Sequence, residues 1–212
     1  MRKLVTCFLI LHVSAICFGQ STESDIHQIR TKYQNIEDSL IIAKKIILER
    51  TFDSSPELWI LLYHDSYNID FRDLAKKLTL DGITTVFYWN SKIRKIEIEE
   101  FDWPDGFSYS KKQFYFQEGK IFFSYNEDRS YNYFDKNSPL VSVTEERHYF
   151  KNDELIRHLT KEFTASSNTF IQEESSKAQN KVIEDNSTKN LNDGYLLIES
   201  LRANGYLNLE GY

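Results

Sequence analysis

Two look-alike segments constrain this chain more than anything else in it: Lys112 to Asn126 and Arg147 to His158. The first reads Lys-Gln-Phe-Tyr-Phe, then Gln-Glu-Gly-Lys, then Ile-Phe-Phe-Ser-Tyr; the second reads Arg-His-Tyr-Phe, then Lys-Asn-Asp-Glu, then Leu-Ile-Arg-His. An aromatic run, a short polar stretch and a second apolar run are what a tight β-hairpin requires. Glu118-Gly119 and Asn152-Asp153 supply turn centres that tolerate positive φ. With two-residue loops the pairing follows. Phe116 faces Ile121, Phe114 faces Phe123 and Tyr115 faces Phe122; Phe150 faces Leu155 and Tyr149 faces Ile156. On the same register His148 and His158 fall opposite Arg157 and Arg147.

Alternation of side chains puts the Phe116 and Phe150 pairs on one face, the expected core face. The other face carries Tyr115, Phe122, Tyr149 and Ile156, and is too aromatic for a plainly solvated surface. Either another element covers it, or it binds something. Those four residues are therefore the candidate binding residues, since aromatic groups on a rigid sheet suit a protein or sugar ligand.

The N-terminus has the form of a secretory signal peptide over residues 1–19, with Arg2 and Lys3 ahead of the mostly apolar stretch Leu4 to Phe18. The run is too short for a membrane span. Small residues at Cys17 and Gly19 place cleavage before Gln20, which makes the chain periplasmic or secreted. Lipidation of Cys17 is the rival reading, and the bulk of Ile16 disfavours it. Both cysteines, Cys7 and Cys17, lie in the leader, so the mature chain has no disulfide, no thiol nucleophile and no cysteine-held zinc. Removing Arg2 and Lys3 from 26 basic residues leaves 24 against 32 acidic, a net charge of −8. That balance disfavours nucleic acid and anionic membrane surfaces as partners.

From Asp25 onward, Ile26, Ile29, Tyr33, Ile36 and Leu40 recur at spacings of three and four, one stripe of an amphipathic helix that would pack on a sheet face. Lys44 to Arg50 either continues that helix or forms a buried strand. Ser55-Pro56-Glu57 opens a short helix or strand over Leu58 to Tyr63. A helix from Asp70, carrying Phe71, Leu74 and Leu78, ends at Asp81-Gly82. Ile83 to Trp89 and Ile93 to Phe101 form a third hairpin, pairing Val86 with Ile96 and Thr84 with Ile98 if the loop has three residues, and shifted by one if it has two. Glu127 to Pro139 reads as a long connection. After Ala165 the chain becomes polar, a helix or a mobile segment. Tyr195 to Arg202 is apolar enough for a short docking helix, closed by Asn204-Gly205.

The expected fold is α+β: an N-terminal helix on a twisted antiparallel β-meander, a helical insertion and a polar, partly helical C-terminal segment. The expected layout is a leader (1–19), an α+β domain (20–165) and the C-terminal segment (166–212).

Several pieces match a known pattern: Gly19-Gln20, Arg94-Lys95-Ile96, Tyr115-Phe116…Gly119-Lys120-Ile121, and Glu145-Glu146-Arg147-His148-Tyr149-Phe150…Leu155-Ile156-Arg157. In these the chain resembles a group of exported proteins from Bacteroidota-type bacteria, over residues 19–40 and 81–163. Residues 54–80 look like an insertion relative to that group. The resemblance implies export and a hairpin-rich fold, and no activity.

Catalytic signals are weak. His64-Asp65, with Asp70 and Asp73, has the composition of a general base or a metal cluster, but also that of a helix C-terminus followed by an N-terminus. Glu97, Glu99, Glu100, Asp102 and Asp105 lack the ligand order of a calcium loop. Nucleophile elbows, phosphate-binding glycine loops and zincin helices are absent. The sequence implies no cofactor and no metal ligand set. It points to an exported, non-enzymatic binding or interaction protein of the cell envelope. The alternatives are a small extracytoplasmic hydrolase or a structural accessory of an envelope complex.

Overall fold

Three tight turns set the architecture. Asn90-Ser91, Glu118-Gly119 and Asn152-Asp153 all have positive φ at both positions, as two-residue type I′ hairpin turns require. The computed structural model describes residues 22–51, 60–62, 80–102, 108–131, 141–166, 170–185 and 188–207. Helix α1 spans residues 22–39, followed by a short 3₁₀ turn, Leu40–Ile42. The strands are β1 (Lys44–Thr51), β2 (Ile60–Leu62), β3 (Leu80–Trp89), β4 (Lys92–Asp102), β5 (Ser108–Gln117), β6 (Lys120–Tyr131), β7 (Val141–Lys151) and β8 (Glu154–Ala165). Helix α2 (Ile171–Lys177), the short strand β9 (Lys181–Ile183) and helix α3 (Lys189–Ala203) complete the chain. Among the described residues the nine strands form one antiparallel sheet in the order β2-β1-β3-β4-β5-β6-β7-β8-β9.

Several expectations change on contact with this topology. Of the two readings open for Lys44 to Arg50 the strand holds, with Lys44–Thr51 paired to β2 on one side and β3 on the other. Asp81 and Gly82 lie inside β3 rather than closing a helix, and β6 continues through Glu127 to Tyr131, where a connection was expected. The leader, the helix from Asp70 and most of the insertion lie outside the described residues.

The hairpin registers depart from the sequence reading in one systematic way. Each hairpin carries a β-bulge at the third residue after its turn: Arg94, Phe122 and Ile156 are skipped by the pairing. Next to each turn the expected pairs hold, with Phe116 opposite Ile121 and Phe150 opposite Leu155. Beyond the bulge everything slips by one residue. Tyr115 lies opposite Phe123, Phe114 opposite Ser124, and Tyr149 opposite Arg157. In the third hairpin a two-residue turn plus a bulge reproduces the register of a three-residue loop, Val86 with Ile96 and Thr84 with Ile98. An extra residue on one strand changes which side chains share a face for the rest of the ladder.

Both faces of the sheet are covered. On one, Phe114, Phe116, Ile121 and Phe150 are almost fully buried with Val86 and Ile96 beneath α3. Helix α3 meets them with Leu191, Gly194, Ile198 and Leu201, a stripe of helical period. Gly194 sets the close approach: a Cβ there would lie 2.5 Å from Ile121 Cδ1 and 2.8 Å from Phe114 Cδ1. The helix ends in a Schellman cap, with Gly205 N–H bonding to the Arg202 carbonyl (2.9 Å) and Tyr206 N–H to that of Leu201 (3.0 Å).

On the other face α1 lays Ile26 and Ile29 over Tyr115, Phe122, Phe123 and Tyr149, with Tyr33 stacked on Phe123 at 4.8 Å. Polar contacts fix this helix. Lys95 Nζ lies 2.8 Å from Glu37 and 3.0 Å from Glu97, and Tyr115 donates to the same Glu37 carboxylate at 2.6 Å. Burial, reinforced by the adjacent Glu37 charge, pushes the Tyr115 hydroxyl well above its ordinary range, so it stays a donor.

Candidate functional site

Among the described residues, the bulge at Ile156 assembles the most unusual polar group. It moves His158 from the expected place opposite Arg147 to a position directly opposite His148, while Arg147 now faces Leu159. The expectation that each histidine lies opposite an arginine is corrected accordingly. They are buried, at 4% and 7% exposure, and their rings stack with centroids 4.1 Å apart. Arg157 goes to the opposite face, where it pairs with Glu23 of α1 at 2.5 Å.

Neighbouring strands fill in the surroundings on the α3 side. Ser124 and Asn126 of β6 are the cross-strand partners of His148 and Glu146. The Asn126 side-chain amide donates to Glu146 Oε2 and to Asn190 Oδ1, both at 3.2 Å. Asn190, in the first turn of α3, places its own amide nitrogen 3.1 Å from His148 Nε2 and 3.4 Å from Nδ1. Asp185, just after β9, lies 3.3 Å from His158 Nδ1, and Glu146 Oε1 lies 3.7 Å from His158 Nε2. The Glu146 and Asp185 side chains keep 33% and 36% of their surface in solvent, so the group is closed toward the sheet and open along its carboxylate side.

Three side-chain atoms in this recess are buried without a hydrogen-bond partner among the described residues: Ser124 Oγ, Asn126 Oδ1 and His158 Nε2. Burial, and secondarily the adjacent His158, pulls the His148 imidazole down to about 4, opposed by Asp185. His148 is therefore neutral near pH 7, and the Asn190 amide faces its ring nitrogens. Glu146, His148 and His158 each offer one donor atom, all within 4.8 Å of one another.

The other candidate residues do not converge on a site. Tyr115, Phe122 and Tyr149 are buried beneath α1, at 3%, 8% and 2% exposure, and Ile156 is half-buried against the same cluster. The aromatic face is thus covered by a helix, not open. The acidic series of β4 divides between the two faces. Glu97 is matched by Lys95 and Lys111, whose charges hold its carboxyl below the ordinary range although burial opposes them. Glu99 accepts from Tyr109 at 2.6 Å. Asp105 and the cluster of His64, Asp65, Asp70 and Asp73 lie outside the described residues.

Sequence reading missed Ser124, Asn126, Glu146, Asp185 and Asn190. The available signal was the His148/His158 pair on the two strands of one hairpin, but it is visible only once the bulge is allowed for. Compared with known proteins, the chain matches no family model, no curated protein and no solved structure.

Proposed function

We propose that the protein is an exported, non-catalytic binding protein, and that its ligand site is the recess where β6, β7 and β8 meet the start of α3. The observation that carries this is the set of three buried, unpartnered polar atoms there on strands β6 and β8, either side of β7. Folded proteins satisfy nearly all buried polar groups, so three orphans in one place call for a ligand, an ion or bound water. Export is supported by the leader-like residues 1–19, and by the resemblance to exported proteins in the hairpin motifs. Among the described residues no helix is long and apolar enough to cross a membrane.

Thermal melts of the mature chain against a panel of divalent cations, small oxyanions, amino acids and sugars test this reading. A ligand at a hundredfold excess over its dissociation constant adds about 2.7 kcal/mol. For a chain of this length that is a rise in Tm of roughly 5–10 °C. One class should produce it in the wild type and not in His158→Phe. A panel with no active member, or an equal rise in the variant, overturns the recess as a site. Intact mass of the native protein tests export: the chain should begin at Gln20, and a retained leader or a lipid on Cys17 would contradict it.

A further inference from the structure

Building on the recess as a ligand site, the geometry points to one divalent transition-metal ion of the zinc class as the ligand, held by Glu146, His148 and His158 and braced by Asp185. The donor types select the ion. Two imidazoles and a carboxylate suit zinc and its neighbours in the first transition row, whereas calcium and magnesium take all-oxygen shells.

Spacing agrees with the choice. Ligands at about 2.0–2.1 Å from a tetrahedral ion lie about 3.3–3.4 Å from one another. His158 Nε2 and Glu146 Oε1 already stand at 3.7 Å, and one donor atom from each of the three residues lies within 4.8 Å of the other two. Closing the set means turning the two stacked rings out of parallel about their side-chain bonds, so that their in-plane lone pairs converge on one point. The scaffold is stiff where it matters, since His148 and His158 are paired residues of adjacent strands and Glu146 is two residues along the same face of β7.

The surroundings have the form of a metal site's outer contacts. A ligating histidine characteristically donates its second ring nitrogen to a carboxylate, which fixes the tautomer and aims the other nitrogen at the ion. Asp185 stands at His158 Nδ1 in that position, 3.3 Å away, and leaves Nε2 as the buried orphan. Asn126 likewise occupies Glu146 Oε2 and leaves Oε1 for the ion. Asn190 is the one neighbour that competes, because its amide sits at the His148 ring nitrogens and must yield one of them. Glu146 and Asp185 border the open side, which gives the ion a path in and leaves room for water in the fourth position.

The experiment uses the full mature chain, stripped with a chelator and titrated with Zn²⁺ calorimetrically and with Co²⁺ as a spectroscopic probe. One equivalent of either ion should bind, Co²⁺ should develop the visible bands of a four-coordinate site, and X-ray absorption at the zinc edge should report two imidazoles. Asp185→Asn should weaken binding by about 10–100-fold. Glu146→Gln and His158→Gln should weaken it further, with circular dichroism confirming that each variant is folded. Folded wild type that takes up neither ion overturns the inference, as does uptake unchanged in both ligand variants. If another ligand class stabilises the protein through His158 while metals do not, the recess stands as a site and only the metal falls. If nothing binds there, both fall.

Discussion

Replacing Tyr149 by serine should cost the protein about 3–4 kcal/mol, the range for removing a large aromatic side chain from a packed interior. Tyr149 is 2% exposed, sits 5.1 Å from the Phe123 ring, and lies beneath Ile26 and Ile29 of α1. Arg30 of α1 donates to its hydroxyl at 3.4 Å and holds its guanidinium 5.7 Å from the ring centre. The substitution therefore opens a cavity and unseats a helix at once. Thermal melts should show a fall in Tm of order 10 °C. Tyr115→Ser should behave alike, since Tyr115 is also buried and hydrogen-bonded to Glu37. A Tm within about 2 °C of wild type for either variant would mean that α1 does not cover this face in solution. The aromatic surface would then be available to a partner after all.

That outcome bears on how a sheet of this kind avoids self-association. An aromatic sheet face of this extent, left open, would be an interaction surface by default. Here each face has its own helix, α1 over the tyrosines and α3 over the phenylalanines. The two are secured differently. Helix α3 depends on close packing at Gly194, whereas α1 adds an ionic set of Lys95, Glu37, Arg157, Glu23, Lys151 and Asp25 at its margins. The exposed pairs among these contribute little to stability and more to fixing where the helix lies.

The parts of this fold legible in sequence are those governed by period and by turn chemistry. The stripe of Ile26, Ile29, Tyr33 and Ile36 gave α1 because four residues at helical spacing have few other uses. Asn204-Gly205 marked the end of α3 because a left-handed residue there is a strong local requirement, met at Gly205 with φ 74°. Glu118-Gly119 and Asn152-Asp153 located their hairpins for the same reason. The bulges were not legible. A bulge leaves no compositional mark, and at Arg94, Phe122 and Ile156 it falls on three chemically different residues. The consecutive Phe122-Phe123 pair was the one hint, since strict alternation cannot bury both on one face, yet both join the cluster under α1. The candidate site depended on that missing information. Its members come from β6, β7, β8, the segment after β9 and the first turn of α3, and no local pattern links positions so far apart. A one-residue slip then separates His148 from His158 and pairs each with an arginine.

The same burial that assembles the histidine pair should make the metal-free protein acid-labile well above the range where carboxylates titrate. His148 takes up a proton at about 4 in the folded state, against an ordinary 6.5. Burial is the main cause; a charged His158 at stacking distance adds to it, and Asp185 works the other way. Because the folded value is depressed, the unfolded chain binds more protons between the two values, and stability falls as the pH falls. The contribution is intact above about pH 6.5, declines through the interval and is lost by about pH 4, a total of about 3 kcal/mol. Among the described residues Glu146, Asp185 and His158 are the titratable groups facing His148. His148→Phe isolates the effect, since it keeps a ring against Phe150 and His158 and removes the titrating nitrogens. Urea unfolding in chelator at half-unit steps from pH 7 to 4 should give a wild-type curve that drops away from that of the variant by about 3 kcal/mol across the interval. Parallel curves would mean that His148 is hydrated and protonates freely in the folded protein, and that the recess is far wetter than its packing implies.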